Sequence, residues 1–258
     1  MSAVSINIGD GVAEVVLSRP DALNAISTQL ATELADTTDR LRSDPAARVV
    51  LLAAEGDRAF CVGADLKERN GMSDANLLAQ RVVFRAAFGG VLGLPQPTVA
   101  AVHGFALGGG CELALSCDIV VADETAVLGL PEVSIGLVPG GGGTQLALRR
   151  LGPGRAADVV LTGRRIAAEE AMALGLVDRL VPAGSARAAA REVAAQIAKN
   201  SPVATRAAKR ALRNGWSLDY AAAMDVEDAA WRTAATSADR REGIAAFNEK
   251  RPPVWPGR

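Results

Sequence analysis

The fold is decided by the stretch Pro97-Thr-Val-Ala-Ala-Val-His-Gly-Phe-Ala-Leu-Gly-Gly-Gly-Cys-Glu-Leu-Ala-Leu-Ser-Cys-Asp118. Its first part, Thr98–Val102, is apolar without alternation, which predicts a strand buried on both faces. A glycine loop follows and then a helical pattern begins, so the order is strand, loop, helix. Glycine has no Cβ and therefore lets a ligand or another backbone segment approach closely. The stretch predicts one unit of a parallel sheet, with either a tightly packed loop or a binding site at its edge.

The same alternation extends to both sides of this stretch. Further strands are predicted at Val4–Ile8, Val12–Ser18, Val49–Ala53 and Ile119–Ala122. The turn Gly9-Asp10-Gly11 separates the first two of these and predicts a hairpin. Helices are predicted from a cap at Ser27 onward and over Ala75–Leu92. Strands that alternate with helices predict an α/β protein with a largely parallel sheet.

From about Val181 the pattern changes to helices alone. These are predicted at Ala186–Lys199, Val203–Asn214, Leu218–Thr236 and Arg240–Lys250. We therefore expect an α/β core over residues 1–195 and a helical region over residues 196–258. The one dense basic stretch, Arg206 to Arg213, spaces its charges as one helix face, which predicts a solvated face.

Composition argues against several classes of function. A net charge of −1 and a pI near 6.0 give no electrostatic footprint for nucleic acid. Three cysteines without Cys-x-x-Cys spacing predict neither disulfides nor a metal site, and fit a reducing compartment. No targeting segment is evident, and no apolar run is long enough to span a bilayer. We expect a cytoplasmic protein with no membrane partner.

Two glutamates follow glycine-rich or proline turns. Glu112 lies one turn into an otherwise apolar helix, where a carboxylate is costly unless it is paired or functional. The alternative is that it complements the positive helix N-terminus. Glu132 follows Pro131, and alone it would be an ordinary solvated loop residue. A second loop, Phe60–Glu68, also follows a strand, so two loops could each give one N–H to an oxyanion hole beside an acid–base pair.

Other catalytic patterns do not fit. The glycine run after Pro139 lacks the lysine of a phosphate loop, and no dinucleotide-binding glycine pattern follows a strand. His103 is the only histidine and has no nucleophile elbow or reactive cysteine beside it, so we expect a strand-end residue. Cys61 and Cys111 stand among small apolar residues, which predicts buried, inert thiols.

In this order, the motifs resemble those of the enoyl-CoA hydratase/isomerase (crotonase) superfamily. The matching segments are residues 19–25, 60–67, 104–112, 131–132, 139–145 and 239–251. The resemblance runs nearly end to end. It implies a crotonase-like spiral of ββα repeats that holds a CoA thioester, followed by a helical trimerisation region. The protein would then assemble as a homotrimer or a dimer of trimers.

The resemblance also implies roles for individual residues. The thioester carbonyl oxygen would be held by the N–H groups of Ala64 and Gly109, while Glu112 would activate water and Glu132 would deliver the α-proton. CoA would be contacted by Ala22, Leu23, Arg58, Val62, Asp65, Leu66 and Lys67, and by Phe247 and Lys250 of a neighbouring subunit. No separate cofactor is implied, because CoA is part of the substrate. Relatives often carry a basic residue where Asp21 stands, which is why Arg58 is included.

The activity implied is that of an enoyl-CoA hydratase of fatty acid β-oxidation, a lyase that adds water reversibly to a 2-trans-enoyl-CoA. A branched-chain hydratase acting on 3-methylglutaconyl-CoA is an alternative, although the sequence places no cation for the distal carboxylate of such a substrate. A double-bond isomerase would need chiefly Glu132. RNA binding, or CoA binding without catalysis, are alternatives from other classes. Residues of the acyl pocket are expected between Asn70 and Gly90.

Overall fold

The structure is a computed structural model and describes residues 2–258. The strands are β1 (Val4–Gly9), β2 (Val12–Leu17), β3 (Val49–Ala54), β4 (Ala59–Cys61), β5 (Thr98–Val102), β6 (Phe105–Leu107), β7 (Ile119–Asp123), β8 (Val127–Gly129), β9 (Ile166–Ala167) and β10 (Arg179–Val181). The helices are α1 (Thr28–Ser43), α2 (Leu66–Arg69), α3 (Asp74–Leu92), α4 (Gly109–Ser116), α5 (Gly143–Leu151), α6 (Pro153–Thr162), α7 (Ala168–Leu174), α8 (Ala186–Ala198), α9 (Pro202–Gly215), α10 (Tyr220–Ala235) and α11 (Ala238–Glu249). In this described part of the chain, no helix has both the length and the apolar character needed to cross a bilayer.

The main sheet has six strands in the order β1-β2-β3-β5-β7-β10. All neighbours are parallel except β1 and β2, which form the predicted hairpin. The central strands β3 and β5 are buried along their whole length, as their uninterrupted apolar sequences predict. The predicted strands and the helical cap at Ser27, whose side chain accepts the Leu30 N–H at 3.1 Å, are confirmed.

A second, smaller sheet has the order β4-β6-β8-β9. Its strands β4, β6 and β8 follow β3, β5 and β7 in the chain, so each long strand leads into a short one. Helices α2 and α3 follow the first such pair and α4 follows the second. This is a ββα repeat that winds along both sheets, and it confirms the fold class. The short strands and α5 to α7 were not identified from the residue pattern.

Alternate residues of the central strands face two different layers. On β3, Val50 and Leu52 pack into the layer that contains α1, α3 and α4. Val49 and Leu51 face the other way and pack against α8. Because side chains alternate along a strand, one apolar run supplies both faces of the core. The loops that connect β4 to α2 and β6 to α4, which contain the predicted oxyanion residues, lie on the α4 side of the main sheet.

The basic stretch on α9 is not a solvated face, so that prediction is wrong. Lys209 is buried and its Nζ lies 2.7 Å from Asp118 Oδ2, while Arg213 Nη2 lies 2.7 Å from Asp118 Oδ1. Burial alone would raise the pKa of Asp118, but these two cations hold it below its ordinary value. Asp118 also accepts the Thr98 N–H at 2.8 Å. The charges therefore fasten α9 to the edge of the sheet.

The predicted boundary between residues 195 and 196 falls inside α8, which packs on the sheet through Ala190, Val193 and Ala194. Helices α9, α10 and α11 come after it and contact one another. They expose several large apolar side chains, namely Leu212, Trp216, Tyr220, Trp231 and Phe247. The assignment of residues 196–258 to trimerisation stays a prediction.

Gly110 offers a direct test of how α4 packs on the second sheet. A Cβ at this position would overlap the Cys61 carbonyl at the end of β4. We expect Gly110→Ala to lower the free energy of unfolding by about 1–3 kcal/mol, because α4 would have to move away from β4. Urea denaturation measures this change. Gly154→Ala is the control, since a Cβ there meets nothing within 4 Å; equal stability of the two variants would contradict this packing.

Candidate active site

Two loops meet where the second sheet ends. One connects β4 to α2 and contains Gly63 and Ala64, and the other connects β6 to α4 and contains Gly108. A Cβ built on Gly63 would lie 3.1 Å from the Gly109 nitrogen and 3.0 Å from the Leu107 oxygen. The two loops are therefore in direct backbone contact. This brings the predicted oxyanion residues, Ala64 and Gly109, to neighbouring positions.

The backbone direction at Ala64 is fixed by a parallel bridge to Ile26. Ile26 donates its N–H to Gly63 O at 2.7 Å and accepts the Asp65 N–H at 2.9 Å. Because both bonds use the residues flanking Ala64, the N–H of Ala64 itself points away from Ile26. Gly109 begins α4, so its N–H has no acceptor within the helix. Among residues 2–258, no protein acceptor receives either N–H.

Asn24 fixes the loop that precedes α1, and sequence analysis did not single it out. It is fully buried, and its Oδ1 accepts the Arg19 N–H at 2.8 Å. Its Nδ2 donates to the carbonyls of Glu55 and Ala59, both at 2.9 Å. The amide thus joins this loop to the start of β4. The signal in the sequence was an asparagine in an apolar setting, Ala22-Leu-Asn-Ala-Ile26, whose partners could not be identified there.

Glu112 is buried within α4, as predicted, with 2% of its surface exposed. Its Oε1 accepts the N–H of Gly141 at 2.6 Å and of Gly143 at 2.7 Å. Burial raises the pKa of Glu112, and the bonds from the glycine loop and the charge of Arg81 oppose this rise. The glycine run after Pro139 therefore holds the carboxylate, a function that sequence analysis did not assign to it.

Glu132 lies in a 3-10 turn, Pro131–Ile135, that follows β8. It is half-buried, and a Cβ built on Gly108 would lie 2.9 Å from its Oε1. Gly108 has φ +53 and ψ −124, a conformation that side chains disfavour, so the glycine allows the carboxyl to approach this loop. The Oε2 atom is buried without a hydrogen-bond partner among the described residues. Burial, together with the charge of Glu112, raises the pKa of Glu132 to about 7.

The predicted residues near the first turn form a continuous surface. Val62 donates its N–H to Leu23 O at 3.3 Å, so the segment containing Ala22 and Leu23 lies against the β4–α2 loop. Leu66 and Lys67 are exposed at the start of α2. The structure therefore brings these five residues next to Ala64, and their contact with CoA stays a prediction.

The Asp65 carboxylate is used within the protein. Its Oδ1 accepts the N–H groups of Lys67 and Glu68 at 3.1 and 3.2 Å, and its Oδ2 lies 3.0 Å from Arg19 Nη2. Although burial raises the pKa of Asp65, these bonds and the arginine charge lower it overall. Asp65 is the N-cap of α2, and its backbone N–H and carbonyl are also bonded, to Ile26 O at 2.9 Å and from the Arg69 N–H at 3.1 Å, so its contact with CoA stays a prediction.

The other predicted CoA contacts are Arg58, Phe247 and Lys250. Arg58 is exposed on the turn before β4. Phe247 is 84% exposed near the end of α11, and Lys250 follows directly after that helix. The predicted role of Phe247 and Lys250 requires a neighbouring subunit and stays a prediction.

Arg81 is a site residue that sequence analysis missed. It lies on α3, within the segment 70–90 expected to line the acyl pocket, and its guanidinium carbon lies 3.5 Å from a Cβ built on Gly140. Gly140 adjoins the Gly141 N–H that binds Glu112. On the same helix, the Phe88 ring lies against Gly109 and Gly141. The spacing of Arg81 and Phe88 on one helix face was the available signal.

The histidine and the cysteines occupy the positions predicted for them. His103 follows β5 directly, and its carbonyl accepts the Phe60 N–H at 2.9 Å. Burial raises the pKa of Cys61, Cys111 and Cys117 to about 12 each. These thiols are therefore protonated and unreactive at neutral pH.

Comparison with known proteins gives consistent matches along the whole chain. The family model described as enoyl-CoA hydratase/isomerase matches residues 7–258. The human enoyl-CoA hydratase domain-containing protein 2, mitochondrial, is 42% identical over 254 residues, which is 96% of this chain and 86% of that protein. Enoyl-CoA isomerase/hydratase fer4 of Mycosarcoma maydis is 41% identical over 257 residues, with 96% and 93% of the two chains covered. A crystal structure of enoyl-CoA hydratase from Bacillus anthracis superimposes with a TM-score of 0.96 at 40% identity, covering 99% of this chain and 100% of that chain.

Proposed function

Because the chain belongs to the enoyl-CoA hydratase/isomerase family, we propose that it is an enoyl-CoA hydratase. It would add water reversibly to a 2-trans-enoyl-CoA and give a 3-hydroxyacyl-CoA. The observation that carries this proposal is the pair of buried carboxyl groups, Glu112 and Glu132, in opposite hydrogen-bonding environments beside two free backbone N–H groups. Hydration needs a base for water and an acid for Cα, and these environments supply one of each.

The two environments support different roles for the two acids. The Glu112 oxygen accepts two N–H bonds, which favours its charged form and suits a base that takes a proton from water. Glu132 has a buried oxygen without a partner and a pKa raised to about 7, which favours its neutral form and suits an acid. Burial raises both pKa values, but only at Glu112 do N–H bonds from the glycine loop and the charge of Arg81 oppose the rise, which supports this division of acid and base work. Glu132 would therefore give its proton to Cα as water adds to Cβ.

The N–H groups of Ala64 and Gly109 would hold the thioester oxygen. As the proton is added and removed at Cα, negative charge develops on that oxygen, and two fixed donors stabilise it. The neighbouring positions of the two loops and the direction of the Ala64 N–H support this role. Ala22, Leu23, Val62 and Lys67 are proposed to contact the CoA portion beside it.

The proposal is tested with crotonyl-CoA and purified protein. We expect 3-hydroxybutyryl-CoA to form, and chromatographic separation of the two thioesters measures its formation. A double-bond isomerase would instead convert a 3-enoyl-CoA and leave crotonyl-CoA unchanged. The buried Glu112 favours hydration, since an isomerase needs chiefly the second acid. Conversion of the 3-enoyl substrate alone would reject the hydratase assignment.

The activity should depend on pH through the carboxyl pair. Hydration requires one proton on this pair, held on Glu132, and a deprotonated Glu112. Since the pKa of Glu132 is raised to about 7, this proton is present below that pH and is lost as the pH rises through it. We expect kcat/KM for crotonyl-CoA to fall as the pH rises through about 7. Removing the negative charge in Glu112→Gln lowers the pKa of Glu132, so the fall should move to lower pH in the residual activity of that variant. A profile that is flat through neutral pH would contradict the assignment.

A further inference from the structure

Gln80 is a buried amide that joins α3 to the two helices before it. Only 5% of its surface is exposed, although glutamine on a helix usually faces water. Its Nε2 donates to Thr28 Oγ1 at 2.9 Å and to Glu68 Oε2 at 3.2 Å, and its Oε1 accepts the Arg69 Nε–H at 2.8 Å. The opposite orientation would place the amide oxygen against the Glu68 carboxylate, so these partners fix the amide in one orientation.

Helix α2, which Gln80 binds, follows the proposed oxyanion loop directly. It has only four residues, too few to hold a position by its own hydrogen bonds. Side chains fasten it instead. The Glu68 carboxylate accepts the N–H of the first residue of α1 at 2.9 Å, and the guanidinium carbon of Arg69 lies 4.8 Å from the centre of the Phe84 ring on α3. Since Glu68 and Arg69 both bind the Gln80 amide, the position of α2 depends on this amide.

The same amide binds both segments of the backbone bridge that directs the Ala64 N–H. The bridge pairs Ile26 with Ala64. Thr28 lies two residues beyond Ile26 in the first segment. Glu68 lies four residues beyond Ala64 in the second segment. The Gln80 Nε2 donates to both side chains and therefore holds the two segments together beyond the bridge.

Helix α3 also contacts the other proposed oxyanion donor. Phe88 lies about two turns after Gln80 on this helix, and its Cζ lies 3.2 Å from a Cβ built on Gly109. One helix thus contacts both donor loops, one through Gln80 and α2 and the other through Phe88. Two donors stabilise a developing charge only when both are at hydrogen-bond distance from the same oxygen. The spacing of the two N–H groups therefore depends on how α3 is joined to each loop.

We propose that Gln80 is a positioning residue that sets the distance between the oxyanion donors, the N–H groups of Ala64 and Gly109. It acts through Thr28 and Glu68 rather than on the substrate. The inference rests on the proposed function, because it concerns the oxyanion hole of that same site. Without the amide, α2 would be free to shift relative to α3, and a displacement of about 1 Å at a catalytic group can cost about 10²-fold in rate.

The variant Gln80→Met tests this proposal, because methionine is similar in length and volume but removes all the hydrogen bonds of the amide. We expect kcat for crotonyl-CoA to fall by about 10- to 100-fold while KM stays within about threefold, because oxyanion donors act mainly in the transition state. The rates are measured over a range of crotonyl-CoA concentrations.

A spectroscopic measurement separates positioning from folding. The probe is 4-(dimethylamino)cinnamoyl-CoA, which absorbs at longer wavelength when hydrogen bonds draw negative charge onto its thioester oxygen. We expect a red shift when it binds to the wild-type protein, and a shift at least about halved in Gln80→Met. A residue with a structural role alone would lower the free energy of unfolding without changing this shift in the folded protein.

Two further variants complete the test. Gln96→Met is the matched control, because Gln96 is also fully buried and its hydrogen bonds go to Leu41 on α1 and Lys209 on α9. Its kcat should stay within about twofold of wild type, with an unchanged red shift. Thr28→Val keeps the shape of the side chain and removes one acceptor of the Gln80 amide. We expect it to fold and to show a smaller fall in kcat, about 2- to 5-fold, together with a reduced red shift.

An unchanged red shift in folded Gln80→Met would overturn the proposal, whatever happens to kcat. If Gln80→Met does not fold, a wild-type red shift in Thr28→Val would overturn it. The absence of any red shift in the wild-type protein would also overturn it, and hydration of crotonyl-CoA would then leave the proposed function standing. Conversely, a red shift that depends on Gln80 in a protein unable to hydrate crotonyl-CoA would support this inference and reject the hydratase function.

Discussion

Replacing Glu112 by glutamine is expected to lower kcat/KM for the hydration of crotonyl-CoA by about 10²–10⁴-fold. A neutral amide cannot take a proton from water, so the nucleophile is no longer activated. The amide oxygen can still accept the N–H groups of Gly141 and Gly143, which should keep the glycine loop and α4 in place. The measurement is the initial rate of 3-hydroxybutyryl-CoA formation over a range of crotonyl-CoA concentrations.

Two controls separate chemistry from folding in this variant. Glu33→Gln alters a glutamate that accepts hydrogen bonds from Ser2, Ala3 and Val4, and we expect activity close to wild type. Binding of butyryl-CoA, which has no double bond to hydrate, should stay within a few-fold in Glu112→Gln, because the oxyanion donors are backbone groups. A Glu112→Gln variant with wild-type kcat/KM would reject the role of this residue.

Replacing Glu132 by glutamine is expected to reduce kcat/KM for crotonyl-CoA to a similar extent, about 10²–10⁴-fold. The reason differs, because here the variant lacks the acid that gives a proton to Cα. The change should leave the fold intact: the carboxyl packs beside Gly108, and its Oε2 has no hydrogen bond to lose among the described residues. Rates with crotonyl-CoA measure the loss of activity, and binding of butyryl-CoA checks that the site remains folded. Lost binding together with lost activity would point to a structural role instead.

The main sheet could be predicted from the sequence because its signal is local. The buried strands β3 and β5 are continuous apolar runs, and the hairpin turn contains the glycines that such turns require. The strands of the second sheet could not be identified in this way, because β4, β6 and β8 have three residues each. No periodicity can be recognised over so short a length. For these strands, only the family resemblance implied the correct architecture.

The candidate site was predictable where one residue was unusual in its own surroundings. Glu112 interrupts an apolar helix, and a buried carboxylate requires partners or a function. Glu132 is different, because its environment depends on contact with Gly108 from another loop, and a proline turn reveals none of this. The partners of Glu112, the glycines after Pro139, were likewise hidden by their distance along the chain.

Charged residues on helices gave the least reliable predictions. Lys209 and Arg213 have the spacing of a solvated face, yet both pair with Asp118 on another element. From the sequence alone, Arg81 would be predicted to be a surface residue, although it lies against the glycine loop that holds Glu112. In each case the partner comes from a distant part of the chain.

The most direct test of the hydratase proposal is the rate at which crotonyl-CoA becomes 3-hydroxybutyryl-CoA, compared between the wild-type protein and the double variant Glu112→Gln, Glu132→Gln. Residues that act as one catalytic unit are not additive, so the double variant should lose little more activity than either single variant. We predict efficient hydration by the wild-type protein and a loss of at least about 10²-fold in the double variant. An undiminished rate in a folded double variant that still binds butyryl-CoA would contradict the account.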